Sequence, residues 1–500
     1  MQEHLVITKI NEVYLKVECE KHIAKELSLF FEFFVPGYTF VPAYRNRLWD
    51  GKIRLFDLRN NQLYIGLLPY IEQFCVERNY AYSHDFVDSD YPLYHAKKFI
   101  DSLNIHSNDK SIDVREHQIE AYVHAMRKRR ALLLSPTASG KSLIIYLIFR
   151  QLFEYQGLKG LIIVPTTSLV EQLYSDFEDY AKTGEECQFT ILGTVHRIYQ
   201  GKEKYTKKPL TISTWQSIYK MPKEYFEQFD YVIGDEAHNF KAQSLSTILT
   251  LCVNAKYRIG LTGTLDGTKT HKLVLEGLFG TVNKVITTKE LIDKNQVSNF
   301  EIKCLVLKHS NENCLYLKDK TYQEEIQYLI SNKERNKFIK NLAVSLKNNT
   351  LILYQMVEKH GEVLYNMIKD TEKIGNRKVF FVHGGTDTAD REEIRRIMEI
   401  ENDAIIVASF GTFSTGINIR NLHNIIFAMP TKSSIRTLQS IGRGLRQSEG
   451  KDQATLYDIA DDLRWKKHMN YTLKHFVERT KIYTDEQFPY KLYKIGLNND

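Results

Sequence analysis

The sequence predicts an α/β protein with two tandem doubly wound parallel-sheet domains, preceded by a small α+β domain. From residue 113, short apolar segments such as "LIIVP" and "YVIGDE" alternate with longer amphipathic segments, a pattern typical of parallel strands covered by helices on both faces. The alternation pauses around residues 282–345 and resumes with "TLILY" and "AIIVAS", which indicates a second such domain. Before residue 90, short β-like runs mix with helical patterns such as "KHIAKELSLFFEFF".

A chain of 500 residues accommodates about three domains of ordinary size. We predict an N-terminal accessory α+β domain that contacts DNA, a linker, two α/β domains and a C-terminal helical tail. Their predicted bounds are residues 1–90, 91–112, 113–285, 286–455 and 456–500.

Composition excludes several classes of protein. The hydrophobic content of 43% and charged content of 26% are those of a soluble globular protein, and no stretch approaches the roughly 18 apolar residues that span a bilayer. The N-terminus lacks the apolar core of a signal peptide. Six scattered cysteines without a C-x-x-C pair indicate neither a disulfide framework nor a zinc module, so we expect a cytoplasmic protein. The net charge of +7 permits a polyanionic partner but fits ordinary solubility equally well.

The stretch "LLLSPTASGKSLIIY", residues 132–146, has the order strand, tight turn and helix that a phosphate-binding loop requires. Backbone N–H groups at the helix start cradle phosphates, Lys141 reaches the terminal phosphates and the Ser142 hydroxyl binds Mg²⁺. Ser135 stands where the usual motif has glycine, and a serine serves there if its dihedral angles are ordinary. The alternative is a chance Gly-Lys-Ser at a helix start. The predicted loop comprises Ser135, Pro136, Thr137, Ala138, Ser139, Gly140, Lys141 and Ser142.

A pair of acidic residues, Asp235 and Glu236, follows the apolar strand "YVIG". Phosphoryl transfer needs one carboxylate to hold Mg²⁺ and another group to position or deprotonate water. Asp235 suits the first role and Glu236 the second. Acidic pairs are common on surfaces, but a pair directly after a buried strand is much rarer.

Two further segments of the first α/β domain carry weaker signals. In "VREHQIEA", the Gln118 amide has the groups to read an adenine edge, although Arg115 and Gln118 also fit an ordinary helix surface. In "GLTGTL", Thr262 and Thr264 are explained by turn chemistry alone.

The second α/β domain contains "TLQSIGRGLRQ", with Gln439, Arg443 and Arg446 around the start of a helix. Arg443 and Arg446 are three residues apart and share one helical face. A guanidinium matches the charge that spreads over the phosphate oxygens during hydrolysis. A basic patch for a phosphate backbone is the alternative.

A small polar loop is predicted after the strand "AIIVAS", at Thr412, Ser414, Thr415 and Gly416. Hydroxyls and backbone amides of this kind bind backbone phosphates without reading sequence.

In the N-terminal domain, "VPAYRNRLWDGKIRLF" interleaves aromatic and basic residues. Bases stack on aromatic rings while cations pair with phosphates, so we predict DNA contact by Arg47 and Trp49. The alternative is a strand pair with an aromatic core face and a solvated basic face.

Eight motifs occur in one order: "SPTASGKS", "VPTTSLVEQ", "TISTWQS", "DEAH", "LTGTL", "VHGG", "STGINI" and "QSIGRGLRQ". On these motifs the chain resembles the superfamily 2 helicases and translocases from about residue 113 to 480. The resemblance implies two RecA-like domains with ATP in the cleft between them and nucleic acid across the top of both.

The resemblance also implies roles for individual residues. Lys141, Asp235, Glu236, Gln439, Arg443 and Arg446 would act in ATP hydrolysis. Arg115, Gln118, the phosphate loop, Gly416 and Asn418 would bind or sense nucleotide, with Ser142 and Asp235 at Mg²⁺. Pro165, Thr166, Ser213, Thr214 and Thr415 would contact the nucleic-acid backbone. Two positions depart from the family pattern: Ser135, and Asn418 where many relatives carry aspartate.

The activity that the resemblance implies is ATP-driven unwinding or branch migration of branched DNA in recombination, repair and replication restart. Its substrates would be forks, Holliday junctions, D-loops and R-loops, including RNA–DNA hybrids, and we expect a monomer without membrane contact. Because such a core contacts backbone, an RNA helicase or a duplex-DNA translocase without strand separation stays open. A degenerate ATPase that only binds nucleic acid is disfavoured, since none of the catalytic residues is missing.

Overall fold

The protein is described by a computed structural model. It describes residues 4–107, 109–181, 190–265, 268–416, 419–429, 433, 437, 440–442, 445, 451 and 453–497, with the backbone alone at 241, 388 and 414–416. The chain divides into two compact units, one of residues 1–135 and 139–286 and the other of residues 136–138 and 287–500.

The N-terminal domain is a small α+β fold, as predicted. Its main sheet has the order β5-β2-β1-β6, with β1 antiparallel to β2 and parallel to β6, and β3 pairs with β4 in a separate hairpin. Leu5, Leu15, Phe31 and Phe74 form part of its core. The strands are β1 His4–Lys9, β2 Tyr14–Glu18, β3 Glu32–Phe34, β4 Lys52–Arg54, β5 Gln62–Tyr64 and β6 Ala81–Ser83. The helices are α1 Lys21–Phe30, α2 Pro42–Arg45 and α3 Leu68–Arg78, with 3₁₀ turns at Tyr38–Phe40 and Ile65–Leu67.

The first α/β domain contains a seven-stranded parallel sheet of order β11-β12-β10-β13-β14-β9-β15. Its strands are β9 Arg130–Leu134, β10 Gly160–Val164, β11 Val195–Ile198, β12 Leu210–Thr214, β13 Tyr231–Asp235, β14 Tyr257–Thr262 and β15 Val282–Lys284. Its helices are α5 Glu116–Lys128, α6 Lys141–Gln156, α7 Thr167–Tyr180, α8 Ile191–Thr194, α9 Trp215–Ile218, α10 Lys223–Glu227, α11 Gln243–Leu251 and α12 Lys269–Phe279, with a 3₁₀ turn at Ala237–Lys241.

Both faces of this sheet are covered, which confirms the doubly wound prediction. Ile162 points into a core that contains Tyr146 and Phe177, whereas its neighbour Leu161 points into a separate core with Phe226. Alternate residues of a strand face opposite sides, so an uninterrupted apolar run supplies both cores.

The segment predicted as a linker, residues 91–112, is packed against the first α/β domain. It forms a helix, α4 Leu93–Leu103, and the short strands β7 His106–Ser107 and β8 Lys110–Ser111. Phe99 and Leu103 of α4 belong to the same core as Tyr122 of α5. The segment is therefore part of the domain. The sequence predicted a linker because polar turn residues flank the helix, but the helix is amphipathic and one of its faces is buried.

The N-terminal domain is docked on the first α/β domain through buried polar contacts. An ion pair joins Glu12 to Arg130 at the start of β9, at 2.7 Å. The Tyr70 hydroxyl donates to Glu276 of α12 at 2.6 Å. Gly66 lies so close to α12 that a Cβ atom there would be 2.0 Å from the Glu276 carbonyl oxygen.

The second α/β domain also contains a seven-stranded parallel sheet, of order β18-β19-β17-β20-β21-β16-β22. Its strands are β16 Asn299–Lys308, β17 Thr350–Tyr354, β18 Val379–Val382, β19 Ile405–Ser409, β20 Asn424–Phe427, β21 Gln453–Asp462 and β22 Tyr490–Gly496. Its described helices are α13 Thr288–Asp293, α14 Asn311–Leu317, α15 Tyr322–Ser331, α16 Lys333–Ser345, α17 Glu362–Lys369, α18 Thr388–Ile400, α19 Phe410–Gly416 and α20 Tyr471–Asp485, with single turns at Val357–Gly361 and Glu372–Ile374.

The C-terminal segment differs from the predicted helical tail. It contains α20, but β21 and β22 on either side of that helix are strands of the second sheet. The buried Arg479 of α20 is paired with Asp458 of β21 at 2.8 Å, and Tyr483 donates to the same carboxylate. β22 lies at the edge of the sheet and is mostly exposed, so it lacks the apolar run that marks a buried strand.

No helix in the described ranges is long and apolar enough to cross a membrane. The five cysteines that the structure describes are free thiols.

Candidate nucleotide and nucleic-acid site

The phosphate loop lies between the end of β9 and the first residue of α6. Gly140 caps α6 in the left-handed conformation, with φ of 86°. A Cβ atom at this position would lie 2.1 Å from Nε2 of Gln118. The left-handed backbone angle therefore favours glycine at position 140, and a larger residue would displace the Gln118 amide.

Ser135 does not adopt a left-handed backbone, so a side chain is tolerated where the usual motif has glycine. Its backbone N–H donates to the Thr262 carbonyl oxygen at 2.8 Å. Its hydroxyl lies 2.6 Å from the Ser139 hydroxyl, and both side chains are fully buried. The Ser135 side chain thus connects the start of the loop to Ser139 near its end.

Two side chains of α5 hold the backbone carbonyl of Ser139. His117 Nε2 and Gln118 Nε2 lie 3.0 and 2.9 Å from this oxygen, and both must donate because a carbonyl oxygen only accepts. Gln118 Oε1 accepts from the backbone N–H of Arg115, the N-cap residue of α5, at 2.9 Å. Gln118 is therefore a clamp on the phosphate loop, with one N–H and one lone pair left for a base.

Lys141 and Ser142, the two predicted phosphate and magnesium residues, begin α6. Lys141 Nζ donates to the Ser135 carbonyl oxygen at 3.2 Å, which holds the ammonium group over the loop. The Ser142 hydroxyl lies 2.9 Å from the hydroxyl of Tyr180, the last residue of α7. The sequence motifs contained no signal for Tyr180.

The acidic pair lies on the same edge of the sheet as the phosphate loop. Asp235 ends β13 and pairs with Leu261 of β14, while Leu134 at the end of β9 pairs with Thr262 on the other side of β14. With one strand between them, the ends of β9 and β13 are about 10 Å apart. The parallel sheet thus brings the two motifs, distant in sequence, to one place.

The Asp235 carboxyl is half-buried, and desolvation, together with the neighbouring Glu236 charge, raises its pKa. The backbone N–H of Glu236 donates to Asp235 Oδ1 at 2.9 Å, and Glu236 itself has a left-handed φ of 50°. A partly desolvated carboxylate beside a second acid is a site where a bound cation is electrostatically favourable.

His238 lies between the acidic pair and the next strand, β14. His238 Nδ1 lies 3.4 Å from Glu236 Oε2 and 3.0 Å from Thr262 Oγ1. The Thr262 hydroxyl donates to the Thr264 carbonyl oxygen at 2.9 Å, so it accepts from His238. Thr262 thus contacts the acidic pair through His238, a residue to which the sequence analysis gave no role.

The predicted backbone-contact residues of the first α/β domain follow β10 and end β12, which are neighbouring strands. Pro165 and Thr166 are half-buried, and Gln216 Nε2 donates to the Pro165 carbonyl oxygen at 3.4 Å. Ser213 is fully buried and Thr214 is 5% exposed. Their side chains therefore support the edge of the sheet and offer little surface to a nucleic acid. The exposed polar groups beside them include Gln216 and Ser168.

The predicted DNA-contact residues of the N-terminal domain lie in the connection between β3 and β4. Here Lys52 and Arg54 are paired with Glu32, and Arg54 also with Asp50, which neutralises part of the predicted basic face.

The unneutralised part of this connection, which we call the N-terminal basic surface, comprises Phe40, Tyr44, Arg45, Arg47, Leu48 and Trp49. An open cleft of 570 Å³ is lined by the last five of these and Asp50. Arg45 and Arg47 are exposed without an ion pair to any described residue, and Leu48 and Phe40 are 81% and 75% exposed. Trp49 Nε1 donates to the Lys52 carbonyl oxygen at 2.9 Å, which fixes the indole at the cleft.

In the second α/β domain, Thr412 through Gly416 lie within α19 and not in the predicted loop. The Thr412 hydroxyl is bonded to Ser409 at the end of β19, at 2.8 Å. The helix forms because the apolar Phe410 and Phe413 pack into the core, which the polar composition of the segment conceals. The side chain of Thr415 and the predictions for Asn418, Gln439, Arg443 and Arg446 lie outside the described residues.

Three family descriptions match successive parts of the chain. Residues 9–85 match the N-terminal domain of the DNA helicase UvsW, residues 111–267 match the res subunit of type III restriction enzymes, and residues 333–448 match the conserved C-terminal helicase domain.

Relatives cover nearly the whole chain. The ATP-dependent DNA helicase uvsW of Enterobacteria phage T4 is 36% identical over 97% of this chain and 98% of its own length. The DNA 3'-5' translocase XPB2 of Sulfurisphaera tokodaii is 23% identical over 72% of this chain and 84% of its own. The crystal structure of T4 UvsW superimposes with a TM-score of 0.53 at 33% identity, covering 99% of this chain and all of the other. With 36% identity over almost the full length of both proteins, the chain belongs to the UvsW family of superfamily 2 helicases.

Proposed function

We propose that this protein hydrolyses ATP to unwind or branch-migrate branched DNA, such as forks, four-way junctions, D-loops and R-loops. The observation that carries the proposal is the shared sheet edge, where the phosphate loop and the Asp235–Glu236 pair lie beside the predicted backbone-contact residues after β10 and β12. The T4 relative is named an ATP-dependent DNA helicase, which supports DNA as the substrate.

ATP would bind with its phosphates on the loop that ends at Gly140. The backbone N–H groups at the start of α6 point at that position, and the positive end of the helix dipole favours the phosphate charge. Lys141 would leave the Ser135 carbonyl and pair with the terminal phosphates. The clamp of His117 and Gln118 on Ser139 holds the loop while this exchange occurs.

The oxygen donors at this edge fit Mg²⁺. Asp235 offers a half-buried carboxylate beside the Glu236 charge, and Ser142 offers a hydroxyl. Oxygen ligands of this kind, few in number and supplemented by phosphate, are those that Mg²⁺ uses in nucleotide sites. When bound, the ion would neutralise charge on the β- and γ-phosphates.

Glu236 would orient and deprotonate the attacking water. Its backbone is left-handed directly after β13, and His238 Nδ1 lies 3.4 Å from one of its oxygens. Because His238 is also bonded to Thr262, a shift of β14 or of the following loop would move the base. Completion of the site by Arg443 and Arg446, and a monomeric state, stay predictions from the sequence.

The N-terminal basic surface would contact the branch point. Two exposed arginines suit phosphates, and the indole of Trp49 beside Tyr44 suits stacking of an unpaired base. Since this domain is docked on α12 and β9 through Tyr70 and Glu12, it would move with the first α/β domain.

ATP hydrolysis measured across a panel of nucleic acids tests the proposed substrate. We expect forks, four-way junctions and RNA–DNA loops to stimulate hydrolysis several-fold more than blunt duplex DNA or structured RNA, because only branched substrates engage both the motor core and the N-terminal basic surface. Equal stimulation by duplex DNA would favour a translocase without strand separation, and preferential stimulation by RNA would favour an RNA helicase.

Two substitutions separate nucleotide binding from hydrolysis. We expect Lys141→Ala to lose most nucleotide affinity, because it removes the charge that pairs with the phosphates. Glu236→Gln should bind a fluorescent ATP analogue normally but hydrolyse ATP about 10²–10⁴-fold more slowly, the usual contribution of a general base. Glu224→Gln, on the exposed side of α10, is the matched control. Near-wild-type turnover by either Lys141→Ala or Glu236→Gln would contradict the assigned roles.

The N-terminal basic surface is tested by fork binding as a function of salt concentration. Arg47→Ala should weaken fork binding. It should also make the negative slope of log K against log salt less steep by about 0.7–0.9, the value for one phosphate contact. Trp49→Ala should weaken fork binding with little change in that slope, since stacking releases no counterions. Lys25→Ala removes the same charge from the exposed face of α1 and serves as the control. Unchanged fork binding by both variants would show that the N-terminal basic surface does not contact DNA and serves only the structure of the β3–β4 hairpin.

A further inference from the structure

The hydroxyl of Ser142 is held by one residue that belongs to none of the helicase motifs. Tyr180 ends α7, and its hydroxyl lies 2.9 Å from Ser142 Oγ. The Tyr180 ring also lies against Tyr146, with ring centroids 5.4 Å apart. Ser142 and Tyr146 are four residues apart on α6 and share one face of that helix, so the tyrosine spans one full turn at the start of α6.

The position of Tyr180 is set by an aromatic cluster between α6 and α7. Phe177, one turn earlier on α7, is fully buried and lies 5.3 Å from Tyr146 and 5.7 Å from Phe149, measured between ring centroids. Close packing leaves such a cluster few alternative arrangements. The phenol of Tyr180 therefore reaches Ser142 from a fixed direction.

The other end of α7 lies at the predicted DNA contact. Thr166 is the N-cap residue of α7, and its hydroxyl accepts from the Leu169 N–H at 3.4 Å. Pro165 precedes it at the end of β10. A helix of 14 residues is about 21 Å long, so one rigid element joins Thr166 to Tyr180.

We propose that Tyr180 is a positioning residue for Ser142, orienting its hydroxyl for magnesium and linking that orientation through α7 to the Pro165–Thr166 contact. This inference rests on the proposed role of Ser142 at Mg²⁺. When the Ser142 oxygen offers a lone pair to the cation, its proton needs an acceptor, and the Tyr180 oxygen is placed to accept it. Outer partners of this kind orient the ligands of a metal and tune its affinity.

Tyr180→Phe removes the hydroxyl and keeps the ring in the aromatic cluster. We expect this variant to need about 3- to 10-fold more Mg²⁺ for half-maximal binding of a fluorescent non-hydrolysable ATP analogue, the loss expected for one hydrogen bond to a ligand. Its affinity for the analogue in EDTA should equal that of the wild type. Tyr155→Phe, on a 67% exposed tyrosine of α6, is the matched control and should change neither value.

If the wild type depends on Mg²⁺ and Tyr180→Phe has the same Mg²⁺ requirement, the positioning role of Tyr180 is wrong. The proposed magnesium site at Ser142 would be unaffected by that result. A wild type whose analogue binding ignores Mg²⁺ would instead overturn the proposed magnesium site and the inference with it.

The link through α7 is tested by repeating both titrations with saturating forked DNA. We expect DNA to lower the half-saturating Mg²⁺ concentration of the wild type, and to lower that of Tyr180→Phe by a smaller factor. An equal shift in the two proteins would overturn the link to Pro165–Thr166, because a tyrosine with a purely local role would not alter the effect of DNA.

Discussion

The phosphate loop depends on one backbone oxygen, the carbonyl of Ser139, which accepts hydrogen bonds from His117 and Gln118 of α5. This clamp places the Gln118 amide where a Cβ atom at position 140 would displace it, and the left-handed Gly140 precedes the first residue of α6. These contacts hold the Ser139 end of the loop against α5. A loop that is already ordered loses less conformational entropy when nucleotide binds.

Parallel pairing of the central strands places every other group of the site relative to that loop. β14 separates the loop from Asp235, and His238 is hydrogen-bonded to Thr262 at the end of the same strand. The predicted backbone contacts follow the next strands along this edge, β10 and β12. The residues predicted to bind nucleotide and those predicted to contact nucleic acid therefore adjoin on one sheet, and the aromatic packing of α6 on α7 adds a second connection between them.

The sequence predicted the two parallel-sheet domains and the loop because apolar strands and glycine motifs are local signals. It could not predict that Gln118 turns toward Ser139, since that contact joins residues from separate elements. In the sequence, Lys52 and Arg54 indicated a basic surface, but the β3–β4 hairpin places Glu32 beside both. The C-terminal strand β22 was missed because its exposed position at the sheet edge leaves lysines where a buried strand has apolar residues.

Calorimetric titration of Gln118→Ala with ATP and with tripolyphosphate, which has no base, shows whether the Gln118 side chain holds the phosphate loop. If the clamp is the main role of Gln118, the affinities for both ligands fall by a similar factor, about 5- to 30-fold for a buried carbonyl left without one of its donors. An unchanged affinity for tripolyphosphate, with weaker ATP binding, would show that Gln118 contacts the base and does not hold the loop.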